Sequence, residues 1–194
     1  MHRQPLLKLL RQHQPADLNE QAMTQATIDF VEQHLTCFDR SLLSGHVTGS
    51  AWIVSPDRQQ TLLIHHRKLD RWLQPGGHAD GDPDVAAVAL REAQEETGLT
   101  TLIIVVTPGG GDNAKAEISQ TVPIFDVDIH PIPARNEVPE HLHYDIRFLV
   151  EADPTEPLGF SEEIRDIRWF SRSDAATITG SESVLRLIRK MKSP

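Results

Sequence analysis

The chain predicts a mixed α/β fold with a helical extension at its N-terminus. Three observations carry this: helix-period spacing through the first forty residues, short β-type runs from residue 47 onward, and one well-punctuated helix over residues 82–97. Residues 4–12 set Leu6, Leu7, Leu9 and Leu10 among Lys8 and Arg11, the pattern of a short amphipathic helix. Residues 19–39 continue with Ala22, Met23, Ala26, Phe30 and His34 at helical spacing, and Asp17 or Asn19 stands ready to cap them. Beyond Gly45 the texture changes: residues 47–54 and 61–64 are short β-type runs separated by Ser55-Pro56-Asp57, which reads as a hairpin. Residues 76–82 read as a loop. Asp82-Pro83 then makes a helix opening, since Asp caps free N–H groups and Pro suits the first turn. The helix is expected to end at Thr97, with Gly98 as the permissive terminator. Residues 102–106, 122–127, 144–150 and 165–170 are further strand candidates. Residues 181–192 close the chain as a helix burying Val184, Leu185, Leu187 and Ile188.

At 194 residues, one decorated domain is expected rather than two equal ones. Composition is that of a soluble globular chain, and no apolar run approaches the roughly 20 residues that span a bilayer, so no membrane partner is expected. The N-terminus lacks the continuous apolar region and cleavage site of a secretory signal. Cys37 is the only cysteine, which excludes an internal disulfide or a thiolate cluster and points to the cytoplasm. A formal net charge of −9 repels a phosphate backbone, so no nucleic-acid polymer is expected as partner. Small phosphorylated ligands remain open to an acidic protein if a divalent cation stands between the charges.

The chemistry concentrates in the helix over residues 82–97. At about 100° per residue, Ala86, Ala89, Leu90, Ala93 and Thr97 share one arc and Glu92, Glu95 and Glu96 another. Like charges three and four positions apart repel, so stacking them calls for a compensating cation. Hard carboxylate oxygens suit Mg²⁺ or Mn²⁺. Standing alone, such a run would read as a solvated acidic face.

The upstream residues Gln74-Pro75-Gly76-Gly77 decide between those readings. With them the segment resembles the Nudix box, G-x5-E-x7-R-E-U-x-E-E-x-G-U: Gly77, Arg91, Glu92, Glu95, Glu96, Gly98 and Leu99 stand in place, including the 14-residue step from Gly77 to Arg91. Two positions depart. Pro83 stands where the first glutamate belongs, and Ala93 at the aliphatic site; Asp80, Asp82 or Asp84 could replace that glutamate by pairing with Arg91. The resemblance implies an α/β/α sandwich over residues 41–194, while residues 1–40 lie outside the motif and are expected to form a helical extension packed on the domain or on a second subunit of a homodimer. It implies a metal-dependent pyrophosphohydrolase acting on a nucleoside diphosphate derivative, with a non-catalytic ligand sensor as the alternative and damaged nucleoside triphosphates as a further substrate class. By the same resemblance Glu95 and Glu96 are metal ligands. Glu92 is a further ligand or the base, the Gly76 carbonyl another ligand, and Arg91 a positioning group. Glu162 or Glu163 is the favoured extra acid from outside the box, ahead of Glu117 and Glu140.

Other residues have the chemistry for substrate contact. His141, His143 and Asp145 alternate along a strand and share one face, fit to line a pocket or hold a transition metal, or else to form an ordinary polar sheet face. His78 lies in the box loop. Arg67, Lys68 and Arg71 are candidate phosphate cations, and Trp72 either stacks on a base or fills the core. Gly109-Gly110-Gly111 lacks the Lys-Ser/Thr of a P-loop. Asp80, Asp82 and Asp84 lack the glycine and closing glutamate of a calcium loop.

Overall fold

The structure, a computed structural model, describes residues 2–106, 122–135, 138–159 and 162–191. Gly109, Gly110, Gly111 and Glu117 lie outside the described residues. Two helices, α1 (Gln4–Gln12) and α2 (Leu18–Gln33), precede β1 (Gly45–Val54), β2 (Gln60–His66), β3 (Arg71–Leu73) and β4 (Gly76–His78). Then follow α3 (Val85–Thr97), β5 (Ile103–Ile104), β6 (Asp126–Ile132), β7 (His141–Glu151), β8 (Ile164–Ser171), α4 (Arg172–Thr179) and α5 (Glu182–Lys190).

The sheet is mixed. β1 runs parallel to β7 from Gly45↔Leu142 to Val54↔Glu151, while the remaining pairings are antiparallel. β1 is buried along its whole length, as a central strand covered on both faces must be. The expected hairpin between β1 and β2 touches at Val54↔Thr61; the longer partner of β2 is β8.

Alternation along β1 and β7 sorts the two faces. Val47 of β1, with Ile146 and Phe148 of β7, faces α1, α2 and α3 in an apolar core that includes Leu6, Leu10, Phe30, Val85 and Ala89, and Ala51, further along the same face, joins a second cluster with Ile53, Leu62, Ala93 and Leu99. Trp52 and Val54 face the other way, onto Ala175 of α4 and Val184 and Leu187 of α5. Helices therefore cover both faces. The N-terminal helices belong to the core rather than hanging from it: the Phe30 ring stacks on Tyr144 at 3.9 Å between centroids.

The α5 face of the sheet is polar near β6. Asp126, Asp128 and His130 stand opposite Arg147, Asp145 and His143. Arg147, almost fully buried, pairs with Asp126, Asp128 and Asp145 at 3.1, 3.0 and 2.7 Å. Arg186 of α5 closes on Asp126 and Asp128 from above, and Lys190 bridges Asp126 to Glu20 of α2. Burial works to raise the Asp128 carboxyl, but Arg147, His130 and Arg186 hold it well below the usual carboxylate range. Glu20 also accepts the Val127 N–H at 3.3 Å, so α2 covers backbone donors that a bare sheet edge would expose.

Several elements differ from expectation. The box helix opens at Val85 with Asp84 as its cap, accepting the Ala87 N–H at 3.1 Å, so Asp82-Pro83 lies in the turn before it. α2 ends at Gln33 rather than running to residue 39. β6 begins at Asp126, past most of the run over residues 122–127. The run over residues 102–106 contributes only Ile103–Ile104 as strand. α4 was not foreseen.

Candidate active site

α3 holds three carboxylates at one end of the sheet because its opposite face is small and apolar. Val85, Val88, Ala89, Ala93 and Thr97 are buried, and Gly98 ends the helix in the left-handed region at φ 72°. Leu90 and Ala86 are only partly buried. Glu96 turns back toward the loop and accepts the Gly76 N–H at 3.0 Å. Burial raises its carboxyl to about 8, against that hydrogen bond, and Glu92, Glu163 and Glu95 push it the same way. Glu92 is raised mainly by burial too, with Arg91 opposing.

Arg91 organises the loop. Its guanidinium donates to the His78 carbonyl at 3.3 Å and to Glu92 at 3.1 Å, and lies 4.0 Å from both Asp82 and Glu95. Of the three aspartates weighed as its partner, Asp82 is the one within reach. Asp84 caps the helix, and Asp80 pairs with Arg40. The Gly81 N–H donates to the Phe38 carbonyl at 3.0 Å, so the segment before β1 supports the loop that carries the glycines.

These groups open on a cleft of about 680 Å³ lined by Arg40, Lys68, His78, Ala79, Asp80, Asp82, Arg91, Glu92, Glu95 and Glu163. Lys68 pairs with Glu163 across it, and that pairing holds the Glu163 carboxyl below its usual range. Of the candidates read from the sequence, Glu92, Glu95, Arg91, Lys68, His78 and Glu163 line the cleft. Gly76, Glu96, Arg67, His141, His143 and Glu162 do not. Arg67 instead reaches the Ile164 carbonyl at 3.4 Å. Asp145 is consumed by structure, accepting from Thr48, Ser50, Gln74 and Arg147. Trp72 is packed between His65 and Phe170. Arg40 was missed: it lies in a segment with no motif, and nothing in the sequence marks its pairing with the box loop.

The donor set fits a hard dication. Although among the described residues no three carboxylates stand at metal-ligand spacing from one another, Glu92, Glu95 and Glu163 line the cleft, and each adds to the burial that raises Glu96. Such crowding of partly desolvated oxygens is relieved by a cation with several carboxylate and water ligands.

A family model described as "NUDIX domain" matches residues 46–190. No match to a curated protein was found. Among solved structures, a C. elegans Ap4A hydrolase binary complex is 19% identical over 74% of this chain and 93% of its own, with a TM-score of 0.52. A MutT NUDIX hydrolase from Burkholderia pseudomallei is 19% identical over 76% and 98%, with a TM-score of 0.52. A NUDIX-family hydrolase from Clostridium perfringens is 22% identical over 77% and 97%, with a TM-score of 0.51. At these identities the likeness is one of fold.

Proposed function

The chain belongs to the Nudix family, and from that premise we propose that it is a pyrophosphohydrolase cleaving the diphosphate linkage of a nucleoside diphosphate derivative with Mg²⁺ or Mn²⁺. The observation that carries the reading is a polar cleft that presents Glu92, Glu95 and Glu163 together with Arg40, Lys68 and Arg91, with Glu96 of the same helix turned onto the Gly76 N–H of the box loop. Glu95 and Glu96, with the Gly76 carbonyl, would hold the metal. When bound, it neutralises diphosphate oxygens and lowers the pKa of water.

Water attacks phosphorus, the P–O bond of the anhydride breaks, and the leaving phosphate carries away the electron pair. Glu92 takes the proton of the attacking water, a role suited to a carboxylate raised by burial. Arg91 keeps Glu92 and the His78 carbonyl in register, acting as a positioning residue. Lys68 and Arg40 supply cations on the cleft wall for the phosphate oxygens, and Glu163 is the extra acid from outside the box. Asp82 takes the part of the first box glutamate that Pro83 cannot play, 4.0 Å from Arg91. Among the described residues no helix is long and apolar enough to cross a membrane, and Cys37 is buried and free, consistent with a small-metabolite enzyme of the cytoplasm.

The test is phosphate release over a panel of nucleoside diphosphate derivatives and triphosphates with Mg²⁺ or Mn²⁺, comparing wild type with Glu95→Gln. Metal-dependent turnover that the substitution abolishes supports the enzyme and identifies its substrate class. Ligand binding without turnover, unchanged in Glu95→Gln, would replace it with a sensor.

A further inference from the structure

Five imidazoles gather at one corner of the sheet, and the diphosphate chemistry uses none of them as a ligand. His46 of β1 pairs in register with His143 of β7, which in turn stands opposite His130 of β6. His78 of β4 pairs with Thr48, two residues along β1 from His46, so cross-strand geometry brings His46, His78 and His143 to one face. His46 is 5.0 Å from His78 and 4.8 Å from His143 between ring centroids, and His78 is 5.1 Å from His143. His141 flanks them, 5.0 Å from His46.

We propose that His46, His78 and His143 form a second metal site, one for a first-row transition-metal dication of the Zn²⁺ type. One ring nitrogen from each lies within 4.8 Å of the others. A four-coordinate ion with bonds of about 2.0 Å needs them about 3.3 Å apart, a gap that modest ring rotation closes.

A second observation points the same way. His46 is only 2% exposed, yet neither of its ring nitrogens makes a hydrogen bond of good geometry, although the Leu42 backbone lies near enough to favour its charged form, and Nε2 of His143 has no partner either. Buried polar atoms are rarely left so, and an ion is one of the few things that satisfies several imidazoles together. Burial, reinforced by the neighbouring histidines, works against protonation of both rings, and neutral imidazole is the form that binds metal.

The donor chemistry separates this site from the carboxylates. Imidazole favours Zn²⁺ and its neighbours, carboxylate and water favour Mg²⁺. Alternation along β1 and β4 also turns the imidazoles away from the glycines that meet α3, with His78 standing at the border between the two sites. Gly77 pairs with Gly49, and both glycines face α3, Gly49 against Val85 and Ala89 and Gly77 against Glu92. His78, one residue on, faces away. Three protein ligands leave a fourth position for water or a ligand oxygen, and His78 also borders the cleft. The inference does not depend on the hydrolase reading, because metal occupancy can be measured without turnover.

The experiment strips the full-length protein with chelator and titrates it with Zn²⁺ against a chromophoric competitor, then repeats the titration with Co²⁺ to read its visible d–d bands. Wild type and the Glu92→Gln/Glu95→Gln variant should each take one equivalent tightly, with four-coordinate Co²⁺ spectra. His143→Asn should lose at least about 100-fold in affinity, since even outer-shell partners of a metal site cost about 10–100-fold. His78→Asn, on a different strand, should lose as much and guards against a folding defect in the first variant, with circular dichroism to confirm both. Absence of stoichiometric Zn²⁺ binding, or binding that the glutamate variant loses and both histidine variants keep, would overturn the proposal.

Discussion

A Cβ placed on Gly77 would stand 2.1 Å from Oε2 of Glu92, so the second glycine of the loop is the space that the first carboxylate of α3 occupies. The contact is with the tip of a flexible side chain. Gly77→Ala should therefore leave the fold standing and displace the carboxylate. A misplacement of about 1 Å at a reacting centre costs on the order of 100-fold in rate. The expected outcome is a fall of that size in kcat at almost unchanged urea midpoint. A large loss of stability with normal turnover in the folded fraction would show that the glycine serves the backbone instead.

Glu96 ties stability to pH in the metal-free protein. An unfolded glutamate loses its proton near 4.5, whereas burial keeps Glu96 protonated up to about 8. Between those values the native state binds more protons than the unfolded state, so stability falls as pH rises, by at most about 1.4 kcal/mol per pH unit for one group. The window from about pH 7 to 9 isolates it. His46 and His143, depressed by burial, act with the opposite sign, losing stability as pH falls below about 6.5. In chelator, Tm should decline from pH 7 to 9 in wild type and stay flatter in Glu96→Gln. Mg²⁺ affinity, which requires the proton to leave, should rise over the same range.

The sequence made the box legible because its spacing is rigid: glycines, arginine and glutamates recur at fixed steps along one loop and one helix. Gly98 marked the helix end for a backbone reason that any reader of the chain can apply. The helix start was misplaced because Asp82 and Asp84 carry the same capping chemistry. Only the fold shows that Asp82 accepts the Asp84 N–H while Asp84 caps α3. β6 was read too early because Asp126, Asp128, His130 and Pro131 resemble a loop, until Arg147 and Arg186 supply the partners that make buried aspartates tolerable. The same pairing hid Arg186 inside an amphipathic helix, where an arginine reads as surface. His46 was passed over because a lone histidine in an apolar strand carries no pattern. Its meaning depends on His78 and His143, which the chain brings near only through β4 and β7.

Arg147 gives that buried network a measurable weight. It is 2% exposed and touches three aspartates. Removing one partner from a buried ion cluster leaves uncompensated charge, which costs about 3–5 kcal/mol. Arg147→Met keeps much of the volume and removes the charge, so its loss in urea denaturation should fall in that range and ease at low pH, where the aspartates take up protons. A cost below about 1 kcal/mol at neutral pH would mean that Arg186 and Lys190 alone neutralise the cluster.

The N-terminal helices make the last prediction, because their packing decides whether residues 1–40 act as part of the catalytic fold. Phe30 is 6% exposed, stacks on Tyr144 of β7 and shares one core with Leu6, Leu10, Val47 and Phe148. Beyond α2 the same segment donates and accepts at the sheet and the box loop: the Val47 N–H reaches the Cys37 carbonyl at 2.8 Å, and Arg40 pairs with Asp80. Deleting a buried phenylalanine side chain costs about 3–5 kcal/mol. If the helices fold with the sheet, Phe30→Ala shifts one cooperative transition by that amount, with circular dichroism and tryptophan fluorescence still coincident. If they were an independent layer, helix signal would be lost first while Trp52, buried under α5 on the far face, kept its native fluorescence.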